Sequence, residues 1–261
     1  PSADEPDVWD QSELIQNRDV IDMLVRLVTL EELEEQGVFD LPRKIAAGWG
    51  RDYFIIVYDS TPYTAAYLLG FQGMMTAFYD NPDNLRYFIE RILEQRKPVL
   101  KGYAGCGCDG VYVEEIFSGA DIISPELYDT FVFPENALYF RFAKDIGLLA
   151  TYYLCGNPMP LLDRIARLEC AAVAVEEGKK NFQIPIERIV EALGKDKCIF
   201  GNIDAVEFGL HAQPEQVRAE VNRQIQIGRK AKGFVVSTGS PLPLHSPMEN
   251  IAAMIETAHA S

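Results

Sequence analysis

LLATYYLCGNPMPLLDRIARLECAAVAVEE, residues 148–177, is the stretch from which the fold is read. Two short apolar runs, LLATYYLC at 148–155 and AAVAVEE at 171–177, flank a longer segment that opens on the turn residues Gly156, Asn157 and Pro158. Strand, crossover and strand in so few residues make a parallel βα unit. Outward from it the pattern repeats. Further β-branched and aromatic runs lie upstream at YFIIVYD (53–59) and GVYVEEIF (110–117), and downstream at KCIFGNID (197–204) and GFVVSTG (233–239). Between them run amphipathic stretches with apolar residues three and four apart. They include NLRYFIERILEQRKPVL, PELYDTFVFPENALYFRFAKDIG, PEQVRAEVNRQIQIGRKA and SPMENIAAMIETAHA, which read as the crossover helices.

Ser124-Pro125-Glu126 and Ser246-Pro247-Met248-Glu249 each place a hydroxyl before a proline at the first helical position, with an acid in the first turn. Both mark helix starts. Residues 11–48 read as two helices without a strand, inside an N-terminal helical segment over 1–50. With no linker, low-complexity tract or repeat, residues 1–261 read as a single domain. Apolar parallel strands covered by helices fit a doubly wound sheet or a (β/α) barrel. The first strand is followed by DSTPYTAAYLLG, which lacks a dinucleotide-type glycine fingerprint and favours the barrel. Six strands are two short of a closed (β/α)8 barrel, and the chain opens at Pro1 on the acidic PSADEPDVWD, an exposed lead-in. Both features lead to the expectation that natural sequence precedes Pro1. The open sheet edges predict cover by an upstream segment or association as a homodimer.

The chain can bury a large core, and its 48% hydrophobic and 24% charged residues exclude global disorder. Lys plus Arg number 24 against 39 Asp plus Glu, a net charge of −15. Such a surface repels phosphate backbones and anionic lipid, which argues against nucleic-acid and membrane partners and for a small-molecule substrate. Five cysteines, an odd number, and no signal-peptide pattern point to a reducing, cytoplasmic setting. No apolar run is long enough to span a membrane.

In parallel βα folds ligands bind at the carboxyl ends of the strands. Here those ends are polar: Asp59 and Ser60; Glu114 and Glu115; Cys155, Gly156 and Asn157; Glu176 and Glu177; Asn202 and Asp204; Ser237, Thr238 and Ser240. Six such tips on one face predict a site; solvated loop starts and helix caps are the plainer alternative. Asn157 either orients a ligand or caps the next helix.

VEEIFSGADIISPELYDTFVFPENALYFRFAKDIG, YYLCGNPMPLLDRIARL, GNIDAVEFG and FVVSTGSPLPLHSPMENIAAMIE, in that order, resemble the uroporphyrinogen decarboxylase superfamily. The resemblance runs from about residue 50 to the C-terminus. It implies a (β/α)8 TIM barrel whose third to eighth strands are the six read here, the first two lying outside this chain. It also implies one of two activities. One is decarboxylation of uroporphyrinogen in porphyrin biosynthesis, with no cofactor; the other is methyl transfer from a corrinoid (methylcobalamin) protein to a small acceptor such as a thiol. Uroporphyrinogen carries many carboxylates, so its pocket needs basic groups. The strand tips here are acidic, which favours methyl transfer with a separate corrinoid protein as partner.

In the thiol methyltransferases the resemblance implies a zinc ion held by His-x-Cys after the fifth barrel strand and by a second Cys after the eighth. Cys155 is the retained metal ligand. Tyr153 stands for the histidine and Ser240 for the distal cysteine, so the zinc set is incomplete. Glu115, Glu176 or Glu177 and His245 are candidate replacements for a mixed site; alternatively Cys155 is a small packing residue and His245 an exposed loop residue. The candidate catalytic residues are therefore Glu115, Tyr153, Cys155 and Glu177. Candidate substrate-binding residues are Asp59, Tyr67, Glu114, Asn157, Glu176, Asn202, Asp204, Ser240 and His245. Tyr67, in PYTAAYLLG, sits near a pocket tyrosine of the decarboxylases or serves as a core aromatic. Cys106 and Cys108 form a C-x-C at a helix-to-strand turn, and Cys170 and Cys198 lie at apolar strand starts; all four are assigned to structure. Replacement of the zinc ligands keeps a third reading open, a ligand- or corrinoid-binding protein without chemistry.

Overall fold

A computed structural model describes residues 12–179 and 181–261; the acidic lead-in read at 1–10 lies outside the described residues. Among the described residues six strands alternate with helices, and the strands paired within each compact unit are parallel. This is the α/β class of parallel βα units to which the (β/α)8 barrel belongs. The residues gather into two compact units, one formed by the chain up to Glu115 with Glu126–Leu149, the other by Ile116–Pro125 with Ala150–Ser261.

In the first unit the N-terminal segment is richer in helix than the sequence indicated. It holds α1 (Arg18–Leu24), α2 (Leu30–Glu35) and α3 (Asp40–Trp49) where two helices were expected. The third begins after the αL residue Gly37 without a side-chain cap at Phe39, so no sequence signal announced it. Strand β1 (Ile56–Ser60) leads into α4 (Pro62–Ala65), α5 (Gly70–Asp80) and the long α6 (Pro82–Gly105). Thr61 caps α4 by accepting from Thr64 N, with Pro62 at the first position. Next come β2 (Gly110–Glu115), α7 (Pro125–Phe131) and α8 (Phe133–Asp145). The core is built on α6, whose Phe88, Ile89, Ile92 and Leu93 are buried, together with Tyr139 and Phe140 of α8. The period of two in β1 and β2 sends Val111, Val113 and Glu115 to the buried face. Among the described strands β1 pairs with β2 alone, and its Ile56 and Tyr58 stay exposed.

The second unit carries β3 (Leu149–Leu154), β4 (Ala172–Val175), β5 (Cys198–Phe200) and β6 (Gly233–Val235). The crossovers use α9 (Leu162–Arg167), α10 (Ile186–Leu193) and α11 (Pro214–Gly228), and α12 (Met248–His259) closes the chain. Tyr152 and Leu154 of β3 are buried, while Tyr153, on the other face, is only partly so. Registers Tyr153↔Ala174 and Ala172↔Cys198 place these residues on one face of the ladder. No described helix is long and apolar enough to cross a membrane.

Candidate functional site

The polar strand tips divide according to which face of the strand each side chain leaves. In the first unit Asp59 and Glu115 turn back toward the helices. Asp59, 5% exposed, accepts from the Tyr139 hydroxyl of α8 at 2.7 Å and pairs with Arg96 of α6 at 3.3 Å. The Tyr139 phenol is pushed well above its usual range by burial and by the Asp59 charge. Glu115 is fully buried and accepts from Thr61 Oγ1 at 2.7 Å, Thr64 Oγ1 at 2.9 Å and Asn136 Nδ2 at 3.1 Å. These bonds tie the end of β2 to α4 and α8. Both carboxylates were expected at a binding face and instead join strand to helix layer.

Ser60 and Glu114, paired in register, share the opposite face of the β1–β2 ladder. Glu114 is partly buried, and that burial raises its pKa. Tyr67 follows α4 and packs edge-to-face on Tyr63 with ring centroids 5.8 Å apart. Its phenol is raised to about 12, chiefly by burial, with the Glu115 charge adding to it and the Tyr63 hydrogen bond opposing. Tyr67 thus sits in an aromatic cluster under the Glu115 network.

In the second unit four predicted residues come together. Tyr153 donates its hydroxyl to Gly239 O at 2.8 Å, and Ser240 donates to both Glu177 oxygens at 2.8 Å. Glu176 Oε2 accepts from Gly156 N at 2.7 Å. Gly156 itself is left-handed (φ +85°), and a Cβ there would lie 2.5 Å from Asp121 Oδ1. Gly239 permits a second close approach, because a Cβ would lie 2.2 Å from Glu177 N.

Lys179 completes this group and escaped the sequence reading. Its Nζ lies 2.5 Å from Glu177 Oε1, 3.3 Å from Glu176 Oε1 and 3.2 Å from Ser240 Oγ. Burial lowers the ammonium's pKa, but the Glu177 hydrogen bond and the charges of both glutamates outweigh it and leave the pKa raised. The available signal was the run EEGKK, which sets a base two and three residues beyond two acids.

The remaining tips serve the backbone. Asn202 Nδ2 donates to Glu176 O at 3.1 Å and Ile184 O at 2.8 Å, holding the loop that carries the acids. Asp204 Oδ1 accepts from Val206 N and Glu207 N, both at 2.8 Å, and Asn157 Oδ1 from Met159 N at 3.1 Å. Asn157 thus closes a local turn two residues long, ahead of the helical turn whose cap position is Pro158. Cys155 is partly buried beside Gly156, and His245 lies in an exposed loop at φ +71°.

The residues present do not fit the zinc ion implied by the resemblance. Tyr153 and Ser240 are bonded to Gly239 and Glu177, and an ammonium lies among the acids. Among the described residues no three His, Cys, Asp or Glu side chains are grouped to hold a metal.

Parallel βα units, with two acids after β4 bonded to Ser240 after β6, define an α/β protein of the class to which the (β/α)8 barrel belongs. The sequence model of the uroporphyrinogen decarboxylase (URO-D) family matches residues 16–261, and the chain belongs to that family. A uroporphyrinogen decarboxylase of Carboxydothermus hydrogenoformans is 22% identical over 260 residues, covering 96% of this chain and 71% of the relative. A methylated-thiol–coenzyme M methyltransferase of Methanosarcina mazei is 24% identical over 204 residues, covering 77% of this chain and 52% of that protein. The solved structure of a methyltransferase from Methanosarcina mazei superimposes with a TM-score of 0.73 at 20% identity, over 85% of this chain and 63% of its own. That likeness establishes the shared fold. The chain thus spans between half and seven tenths of the length of these relatives.

Proposed function

We propose that this chain is the substrate-binding part of a methyl-transferring enzyme, taking a methyl group from a methylated corrinoid on a separate protein to a small neutral or cationic acceptor. The carrying observation is the charge of the Glu176–Glu177–Ser240 cluster: its ammonium, Lys179, is already held by these same groups. A polyanionic substrate would meet repulsion there, since buried anions need basic partners. Methyl transfer would leave the bonding electron pair with the corrinoid donor and release a proton from the acceptor, and Glu177, beside Ser240 and Lys179, is the carboxylate we assign to receive it. The acceptor is not held through zinc, for want of ligands. Full-length protein incubated with methylcobalamin and a panel of amines and thiols should convert the corrinoid spectrum only with a matching acceptor. An unchanged spectrum with every acceptor counts against the proposal.

A second reading, decarboxylation of a porphyrinogen without cofactor, is supported by the similarity to the Carboxydothermus decarboxylase over 96% of the chain. It requires basic groups for the substrate carboxylates beyond those of the described cluster. Release of carbon dioxide from uroporphyrinogen by the full-length protein would favour it over methyl transfer.

A further inference from the structure

The two positions that depart from the zinc pattern are both bonded. Tyr153 holds the carbonyl of Gly239 at 2.8 Å, and Ser240 holds Glu177 through both carboxylate oxygens at 2.8 Å. Together they draw the loop after β6 against the end of β4, so closely that Gly239 has no room for a Cβ beside Glu177. Two carboxylates and a hydroxyl then surround one point, and the Nζ of Lys179 lies at that point. The lysine backbone is fixed as well: Lys179 N donates to Phe182 O at 2.8 Å, and Phe182 N returns a bond to Lys179 O at 3.3 Å. Glu177 and Glu176 are mostly buried, with side chains 9% and 18% exposed, so their paired charges need a cation nearby.

We infer that the Lys179 ammonium is a built-in counter-cation that takes the position of a metal ion, so that this chain excludes divalent metal from the cluster and would admit it once the lysine charge is removed. A divalent ion brought to Glu176, Glu177 and Ser240 would have to displace the Lys179 ammonium, which contacts all three groups from a backbone held by Phe182. The vacated donor set is all oxygen, two carboxylates and a hydroxyl, which suits a hard ion such as Mn²⁺ rather than the thiolate-seeking zinc of the related methyltransferases. Lys179 is thus a specificity-determining residue for the charge state of the cluster. The inference concerns bound ions and stands apart from the proposed methyl transfer.

The test is Mn²⁺ binding by equilibrium titration with electron paramagnetic resonance, on wild type, Lys179→Met, Lys179→Gln and Lys179→Met/Glu177→Gln. Wild type should bind no stoichiometric Mn²⁺. Each single variant should bind one equivalent at least tenfold more tightly than wild type, with a rise in unfolding temperature on adding Mn²⁺. The double variant should lose both effects. A variant that unfolds without metal should refold when Mn²⁺ is added. The inference is overturned if wild type binds one Mn²⁺ or Zn²⁺ in a manner abolished by Glu177→Gln, or if neither single variant gains binding or stabilisation.

Discussion

Replacing Glu115 by alanine separates a carboxylate that joins β2 to its helices from one that does chemistry. The side chain is fully buried and accepts from two threonine hydroxyls and one asparagine amide. Alanine leaves all three donors without an acceptor in a closed environment, at about 1–3 kcal/mol each. Loss of the buried negative charge offsets part of this, so the net is about 3–5 kcal/mol, as for other disrupted buried charge networks. At about 2–4 °C per kcal/mol for chains of this size, a loss of about 4 kcal/mol lowers the unfolding temperature by about 8–16 °C. Glu115→Gln keeps the shape and one carbonyl acceptor, and the rotatable hydroxyls can accept from its amide, so its loss should be about 1–2 kcal/mol. Thermal unfolding followed by circular dichroism reads both variants. A Glu115→Ala protein melting within about 2 °C of wild type would refute the assigned network, on the same temperature scale.

Tyr139→Phe removes the 2.7 Å donor to Asp59 and should lower stability by about 1.5–3 kcal/mol in urea unfolding, the range for a bond to a charged group. Glu135 of α8 is buried, and its pKa is raised from the ordinary 4.5 to about 7, mainly by that burial and then by Glu90, with Arg86 opposing. The folded state therefore holds the proton more tightly than the unfolded one, and stability falls as pH rises from about 4.5 through about 7. Glu135→Gln should raise the unfolding temperature at pH 8 and leave it unchanged at pH 4; an equal effect at both pH values contradicts this. Gly239→Ala, whose Cβ would lie 2.5 Å from Glu177 Oε2, should displace the Glu177–Ser240 pair and depress both unfolding temperature and turnover.

The alternation of strands and helices was open to reading because apolar runs of β period are short and bounded by turn residues. The βα class follows from that alternation, and of the two helix starts read from Ser-Pro signals, α7 begins at Pro125 as read, whereas α12 begins at Met248, one residue later, with Pro247 before it and Ser246 donating to Pro243 O instead of capping. α3 was not legible, since Phe39 provides no capping side chain. In the site, Glu176 and Glu177 after β4 meet Ser240 after β6, as strand tips on one face can; Tyr153, within β3, joins through Gly239 and was singled out by the resemblance alone. Asp59 and Glu115 illustrate the limit. A polar residue at a strand tip faces the ligand or the helices according to a one-residue change in phase, and the phase depends on where the strand pairing ends. Lys179 was missed for a related reason: charged residues after a strand read as a solvated loop, and only the backbone pairing of Lys179 with Phe182 and the contact of its Nζ with Glu177 show otherwise.

The most direct measurement compares kcat/KM for methyl transfer from methylcobalamin in Glu177→Gln and Glu115→Gln, each confirmed folded. If the cluster after β4 is the working site and Glu115 is a structural tie, Glu177→Gln should lose at least about 100-fold, the lower range for a proton-transferring group. Glu115→Gln should stay close to wild type. The opposite ranking, with Glu115→Gln inactive and Glu177→Gln unimpaired, would contradict the account.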